Sequence, residues 1–384
     1  MFSSIRWCAM KIVADENIPF AREFFGLLGE VVTVPGRKIP PEILRDAGAL
    51  IIRSVTRVDQ ALLDHAPDLK FVGTCTIGTD HVDQELLSSR GIAFCSAPGC
   101  NRLSVGQYVL SSLVRLSRDG GFPLRGMTLG IIGGGNTGTA CEDYARILGL
   151  IPRVYDPFLE ETGRPEGRDY VSYEEALASD IVTFHVPLTR DGSYPTFHML
   201  GAEELASLPS GRILVNASRG AVWDNQALLR VMGQGAGFRL IMDVWEGEPE
   251  VLAPLIPLTM ISTPHIAGYS TEGKLRGTSM VARSLAEHLG RSVTFPSEEE
   301  LLGIMSLPET VCTGDDISLG DLILATYDPL RDSRIFRQEY RGGESFDLMR
   351  KNYPGRREWS SFRISARDAT AAGTARHLGF RAEI

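Results

Sequence analysis

Cysteine is scarce in this chain and carries no pattern. Six cysteines among 384 residues (Cys8, Cys75, Cys95, Cys100, Cys141 and Cys312) form no C-x-x-C pair and show no metal-type spacing with histidine. That excludes a disulfide scaffold and a structural zinc motif, so reduced, mostly buried thiols are expected and no metal is. Positive charge is in deficit as well: 39 Lys and Arg against 48 Asp and Glu give 39 − 48 = −9. Such a chain binds nucleic acid or an anionic membrane poorly, and any anionic ligand must be held by a few local cations or by backbone amides. No apolar run reaches the ~18 residues of a membrane span. The opening MFSSIRWCAM lacks the apolar core of a signal peptide, so residues 1–9, which precede a second methionine at Met10, read as a disordered leader or an alternative start, and a reduced compartment rather than secretion is expected. What is plentiful is ordinary globular material, 43% hydrophobic and 23% charged. This rules out wholesale disorder, and the length suggests two to three domains at ~150 residues each.

Short β-rich apolar runs alternate with amphipathic helical stretches from Lys11 to about Gly290, the grammar of an α/β protein with largely parallel sheets. The first set of runs falls at 11–14, 31–34, 49–52, 70–73 and 92–95, with helical spacing between them at 18–28 and 41–47. A longer helix is expected at 104–117. The second set falls at 128–132, 153–155, 181–184, 212–215, 240–242 and 260–262. After Gly290 the pattern changes: 296–300 (Pro-Ser-Glu-Glu-Glu) reads as a linker or helix start, and 361–384 reads strand, helix, strand.

Gly133-Gly134-Gly135-Asn136-Thr137-Gly138 fits G-x-G-x-x-G directly after the strand at 128–132 and at the mouth of a helix. Gly133 permits the tight turn, Gly135 lets a pyrophosphate approach the backbone, and Gly138 allows close helix–strand packing. The helix start then offers unpaired N–H donors to the anion. The next strand ends in Asp156, whose carboxylate suits a ribose diol and repels a 2′-phosphate, favouring NAD over NADP. The competing reading makes Asp156 a turn residue before Pro157.

Each later strand of this half also runs into a usable group. His185-Val186-Pro187 follows the strand at 181–184, and Asn216-Ala217-Ser218-Arg219-Gly220 follows 212–215. Asp243-Val244-Trp245-Glu246-Gly247-Glu248-Pro249 follows 240–242, and Thr263-Pro264-His265-Ile266-Ala267-Gly268-Tyr269 follows 260–262. In a parallel sheet these ends share one carboxyl edge, where ligands bind, so Asp156, Arg219, Asp243, Glu248 and His265 are expected to converge. The set suits hydride chemistry on a hydroxy acid. His265 exchanges a proton near neutrality. Arg219 presents a planar fork to carboxylate and carbonyl oxygens, and Glu248 orients the imidazole and favours its protonated form. Asp243 can accept from a nicotinamide carboxamide or simply cap its turn. Glu246 and Glu248 are equal candidates for the orienting acid; His185 and His198 read as structural, and His81 as a loop residue. A noncatalytic NAD-sensing protein would not need the Arg219–Glu248–His265 set.

Together the glycine motif, the run 216–220, the run 243–249 and Pro264-His265-Ile266-Ala267-Gly268 resemble the D-isomer-specific 2-hydroxy acid dehydrogenases. A closer signature is similar to the branch of that family acting on 4-phosphoerythronate. It comprises Ala14-Asp15-Glu16-Asn17-Ile18-Pro19, Arg53-Ser54-Val55-Thr56, the run 73–81, Ala97-Pro98-Gly99-Cys100-Asn101, the run 267–274 and the tail Arg350-Lys351-Asn352-Tyr353-Pro354-x-Arg356-Arg357-Glu358. The resemblance implies a Rossmann-type doubly wound parallel sheet (residues 101–270), a flavodoxin-like substrate domain (10–100 and 271–290) and a small α+β C-terminal dimerisation domain (291–384). It implies NAD-dependent oxidation of 4-phospho-D-erythronate in vitamin B6 biosynthesis by a homodimer; a 3-phosphoglycerate dehydrogenase is the alternative within the family. It assigns His265, Arg219 and Glu248 to catalysis, and Ser54, Thr76 and Tyr269 to substrate. To NAD it assigns Gly133, Gly135, Asn136, Thr137, Gly138, Asp156, Val186, Ala217, Ser218, Arg219, Asp243 and Gly268. Arg53, Arg57 and Lys274 are unranked candidates for the substrate phosphate. Two residues depart from the family's pattern: Val186 replaces an expected threonine, losing a hydroxyl toward the cofactor, and Trp223 is bulkier than the expected aliphatic residue.

Overall fold

The computed structural model describes residues 10–163, 165, 168–304, 318–366 and 368–384; the leader at 1–9, Cys8 and Cys312 lie outside them. The chain divides into two compact units, 1–101 with 271–307, and 102–270 with 308–384.

The first unit is built on a five-stranded parallel sheet of order β2-β1-β3-β4-β5, with β1 Lys11–Asp15, β2 Glu30–Val34, β3 Ala47–Ile52, β4 Phe71–Thr74 and β5 Ala93–Cys95. This is the flavodoxin-like order, reversing between β1 and β3. The strands are apolar without alternation because both faces are covered. Ile12, Ala14 and Ile51 pack with Leu275, Val281 and Leu285 of helix Thr271–His288 on one side. Val13, Leu50 and Ile52 meet Leu44 and Leu63 on the other. The helices expected at 18–28 and 41–47 are shorter, Ala21–Phe25 and Pro41–Leu44, and Ala47 already opens β3.

The second unit carries a six-stranded parallel sheet of order β11-β10-β9-β8-β6-β7. Its strands are β6 Thr128–Ile132, β7 Ile151–Tyr155, β8 Ile181–Phe184, β9 Ile213–Asn216, β10 Arg239–Met242 and β11 Ile261–Ser262. Its order reverses at β6, so the crevice between the ends of β6 and β8 is the natural ligand position. The long helix expected at 104–117 spans Arg102–Gly120 and shares one face with helix Asn136–Ile147.

The segment 291–384, expected as one C-terminal domain, divides between the units. Ser297 caps helix Glu298–Ile304, whose Leu301 is buried in the first unit's core, so the acidic run is a helix start rather than a linker. Residues 318–384 cover both faces of the second sheet: Leu322, Ile323 and Trp359 on one, Phe336 and Phe346 on the other. The closing strand–helix–strand is a parallel pair, β12 Arg363–Ser365 and β13 Arg381–Glu383, joined by helix Ala369–His377. Among the described residues no helix is long and apolar enough to cross a membrane.

Candidate active site

At the end of β6 the chain turns sharply, with Gly133 at φ 96°, a conformation glycine adopts without strain. A Cβ on Gly138 would lie 1.9 Å from the Gly133 carbonyl oxygen, so the helix Asn136–Ile147 can approach the turn only with glycine there. Gly135 is different: no atom stands within 4 Å of where its Cβ would be, leaving open space over an exposed helix start at Gly135 and Asn136. Open space, free amides and the positive end of a twelve-residue helix fit a pyrophosphate. Asp156, at the end of β7, takes the Gly134 amide on Oδ2 (2.9 Å) and caps helix Pro157–Thr162 through the Leu159 amide on Oδ1 (3.1 Å). The carboxylate therefore does the turn's work while standing beside the glycine loop, where a ribose would lie. Thr137 is half-buried in the helix's first turn, and the Val186 side chain packs against Gly133 across the switch point.

The edge of β9, β10 and β11 brings an imidazole and a carboxylate together. His265 Nδ1 and Glu248 Oε2 are 2.7 Å apart, and the Trp245 amide donates to the other Glu248 oxygen at 2.7 Å. Burial alone would push the Glu248 carboxyl up, but the His265 charge and hydrogen bond, the Arg350 charge and the Trp245 amide together hold it below its ordinary value. Glu246, the equal candidate from sequence, is turned away: it pairs with His198 Nε2 at 2.6 Å and accepts from the Asn225 amide. His265 has φ 56°, a left-handed conformation costing a non-glycine residue about 1–3 kcal/mol. Asp243 holds it there. Its carbonyl accepts the His265 amide at 2.7 Å, while its carboxylate takes Thr263 Oγ1 and the Ile266 and Ala267 amides at 2.6–2.9 Å. Burial raises the Asp243 carboxyl, against the His265 charge and these bonds. Asp243 thus organises the loop that carries His265, a role the sequence offered only as the lesser alternative to a cofactor contact.

Arg219 emerges from β9, the strand beside β10, half-exposed, with Nη1 donating to the Ser218 carbonyl at 2.8 Å. The turn beneath it is locked, since Ser218 donates twice to Asn216 Oδ1 and Asn216 returns a bond to the Arg219 carbonyl. A Cβ on Gly220 would sit 1.9 Å from the Trp245 carbonyl carbon, so the Arg219 turn lies directly on the backbone whose amide holds Glu248. Ala217 and Gly268 are half-buried on the same edge. His185 is structural: burial pushes its imidazole down to about 3, and Nε2 bonds Thr183 Oγ1 at 2.9 Å. Trp223 is fully buried edge-on to Phe184, so its bulk is absorbed by the core.

In the first unit, Ser54 is exposed after β3, and the Thr76 hydroxyl shares a 2.7 Å bond with Thr74 and reaches the Gly78 carbonyl. His81, read from sequence as a loop residue, buttresses Thr74 through Nε2 at 3.1 Å. Among the three cations, Arg53 is forked onto buried Asp15 at 3.0 and 3.2 Å, and Arg57 is 83% exposed beside Asp59; Lys274 is half-buried. Cys75, Cys95 and Cys100 form no disulfide among the described residues, and burial raises Cys75 and Cys95 away from reactivity. Tyr269 belongs to the second unit, with its ring against Tyr353 and under the Arg350 guanidinium.

Two residues escaped the sequence reading. Arg168 supports the glycine loop by donating to the Gly134 carbonyl and Thr139 Oγ1 and pairing with Glu142, and no motif marks it. Arg350 stood within the quoted tail, but nothing local ties that tail to the loops that carry Glu248 and Tyr269.

Residues 106–267 match the family described as D-isomer specific 2-hydroxyacid dehydrogenase, NAD binding domain, and residues 306–379 match a domain of unknown function, DUF3410. The chain is 49% identical to the erythronate-4-phosphate dehydrogenase of Tolumonas auensis over 93% of this chain and 95% of that one. It is also 49% identical to the enzyme of that name from Aeromonas hydrophila, over 94% and 97%. Among solved structures, the D-lactate dehydrogenase of Aquifex aeolicus, determined with NAD and lactic acid, superposes with a TM-score of 0.62 at 26% identity, over 73% of this chain and 96% of that one.

Proposed function

The chain belongs to the erythronate-4-phosphate dehydrogenase family, an NAD-dependent branch of the D-isomer-specific 2-hydroxy acid dehydrogenases, and from that membership we propose that it oxidises 4-phospho-D-erythronate at C2 to 2-oxo-3-hydroxy-4-phosphobutanoate, a reaction of pyridoxal 5′-phosphate biosynthesis. The observation that carries the reading is the 2.7 Å His265–Glu248 pair on the same sheet edge as the glycine turn. NAD, when bound, supplies the acceptor for the hydride that leaves C2. With Nδ1 donating to Glu248, Nε2 of His265 is the ring nitrogen left to take the C2 hydroxyl proton as the carbonyl forms. Glu248 fixes that tautomer and balances the imidazolium. Arg219 offers its fork to the substrate's carboxylate and developing carbonyl, and Ser54, Thr76 and Tyr269 are its further contacts. Gly133, Gly135, Asn136, Thr137, Gly138, Asp156, Val186, Ala217, Ser218, Asp243 and Gly268 line the cofactor's path in this reading.

NADH fluorescence should grow on adding 4-phosphoerythronate with NAD and stay near baseline with unphosphorylated erythronate. Faster turnover of 3-phosphoglycerate would reassign the substrate, and NADH binding without any turnover would leave a noncatalytic protein.

The same reading makes the protein a cytoplasmic homodimer joined through its C-terminal domain. Ile335 and Leu348 are 46% and 55% exposed beside an apolar cavity of about 280 Å³ also lined by Phe336, Met349 and Pro354. Light scattering should give twice the chain mass, with I335D–L348D shifting it to the monomer; a monomeric parent protein would refute the assembly.

A further inference from the structure

Helix Gly343–Lys351 lies against the catalytic loop at both of its ends. At its start, the Gly343 amide donates to Glu250 Oε1 at 2.8 Å, and a Cβ there would meet Glu250 Oε1 at 2.4 Å. Midway, buried Phe346 meets Phe336 edge-on, and Phe336 in turn packs on Trp245, the residue whose amide holds Glu248. At its end Arg350 lies one turn beyond Phe346 on the same face, 5.8 Å over that ring and 5.6 Å over the Tyr269 ring. Tyr269 and the Glu248 carboxylate favour its charged form, and its charge in turn holds the Glu248 carboxyl down. Its Nε is buried without a hydrogen bond, so charge and ring stacking hold the guanidinium in place.

We propose that Arg350 is a positioning residue for the hydride-transfer site, fixing Tyr269 and setting the field at the Glu248–His265 pair from outside the nucleotide-binding sequence. The inference rests on the reading of His265 as the proton acceptor. The charged and titratable groups around the pair are few. Arg350 faces Tyr269, Glu248 and, on its own helix, Asp347; Glu248 faces His265 and Arg350; His265 faces Glu248 and Asp243. A fixed cation beside the pair disfavours adding a proton to it, so the imidazole stays competent to accept one at lower pH. Removing the cation should let the pair protonate more readily and carry the acid limb of the oxidation upward.

The test is the pH profile of kcat/KM for 4-phosphoerythronate with NAD in the full-length protein and in R350Q, R350K and H265N. In R350Q the acid limb should rise by about half to one pH unit, and kcat/KM at neutrality should fall about 10–100-fold, while the KM for NAD changes less than about twofold. R350K restores the charge but not the planar fork, so it should return the limb to its original position and leave KM for the acid elevated. A limb that stays in place in R350Q while activity drops equally at every pH would overturn the proposal and reduce Arg350 to a packing residue. H265N separates the two inferences: loss of the limb there with an unmoved limb in R350Q refutes Arg350 alone, whereas a limb persisting in H265N refutes the underlying reading and this proposal with it.

Discussion

His265 is held in a strained backbone conformation by Asp243 and in one ring orientation by Glu248, so substitutions at His265, Glu248 and the cofactor-side Asp156 should separate into different defects. H265N should lower kcat by about 10²–10⁴-fold with NADH binding intact by fluorescence titration; near-full turnover would remove it from the mechanism. E248Q keeps the shape but loses the countercharge, so the acid limb should fall to lower pH, and an unmoved limb would argue against an orienting acid. D156N keeps the cap but not the charge that repels a 2′-phosphate, and should narrow the NAD-to-NADP ratio of kcat/KM; an unchanged ratio would sink that role. His185 bears on stability instead. Its folded-state value near 3 lies below the ordinary ~6.5, so the unfolded chain binds a proton that the folded chain does not. Stability should therefore decline as pH falls from about 6.5 towards 3, by at most about 1.4 kcal/mol per pH unit. Urea midpoints measured across that window should flatten in H185Q.

At the scale of elements, the site depends on how closely neighbouring turns approach. Gly220 allows the β9 turn to lie on the Trp245–Glu246 backbone, and Gly138 allows its helix to touch the Gly133 carbonyl. G220A should cost roughly 1–3 kcal/mol in urea unfolding and reduce kcat, because the displaced loop carries Glu248. A G220A protein with wild-type midpoint and turnover would show that the two turns can separate freely. The close approach at Gly138 was legible in the G-x-G-x-x-G spacing, whereas the need for glycine at 220 was not. Its partner, Trp245, lies on the neighbouring strand's loop, and no local pattern announces that meeting. The choice between Glu246 and Glu248 was hidden for the same reason, since His198 claims Glu246 from a loop far off in sequence.

On the scale of the whole molecule, the C-terminal segment is part of the second unit's interior. Buried Glu358 accepts from Ser104 and Ser270 at 2.8 and 3.0 Å, and Arg356 donates to the Ser104 and Ala267 carbonyls. One cluster thus ties the first turn of helix Arg102–Gly120 to the end of the loop that carries His265. Ending the chain at 317 would expose Tyr108, Leu113, Trp245 and their neighbours, and the truncated protein should lose cooperative melting and NADH binding together; a truncated protein that melts cooperatively and binds NADH would show the tail to be an appendage.

Strand positions and the glycine turn could be read from residue order alone, because apolar periodicity and turn chemistry act over a few neighbouring residues, and the family could be read from its resemblance in several motifs taken together; the order of the strands within each sheet could not. Which carboxylate meets the imidazole, which cations are already spent on Asp15 and Asp59, and that Arg350 stands over the Tyr269 ring were decided only in three dimensions. Those outcomes depend on side chains from distant segments competing for the same partners, and that competition exists only once the sheets and the C-terminal helices have packed.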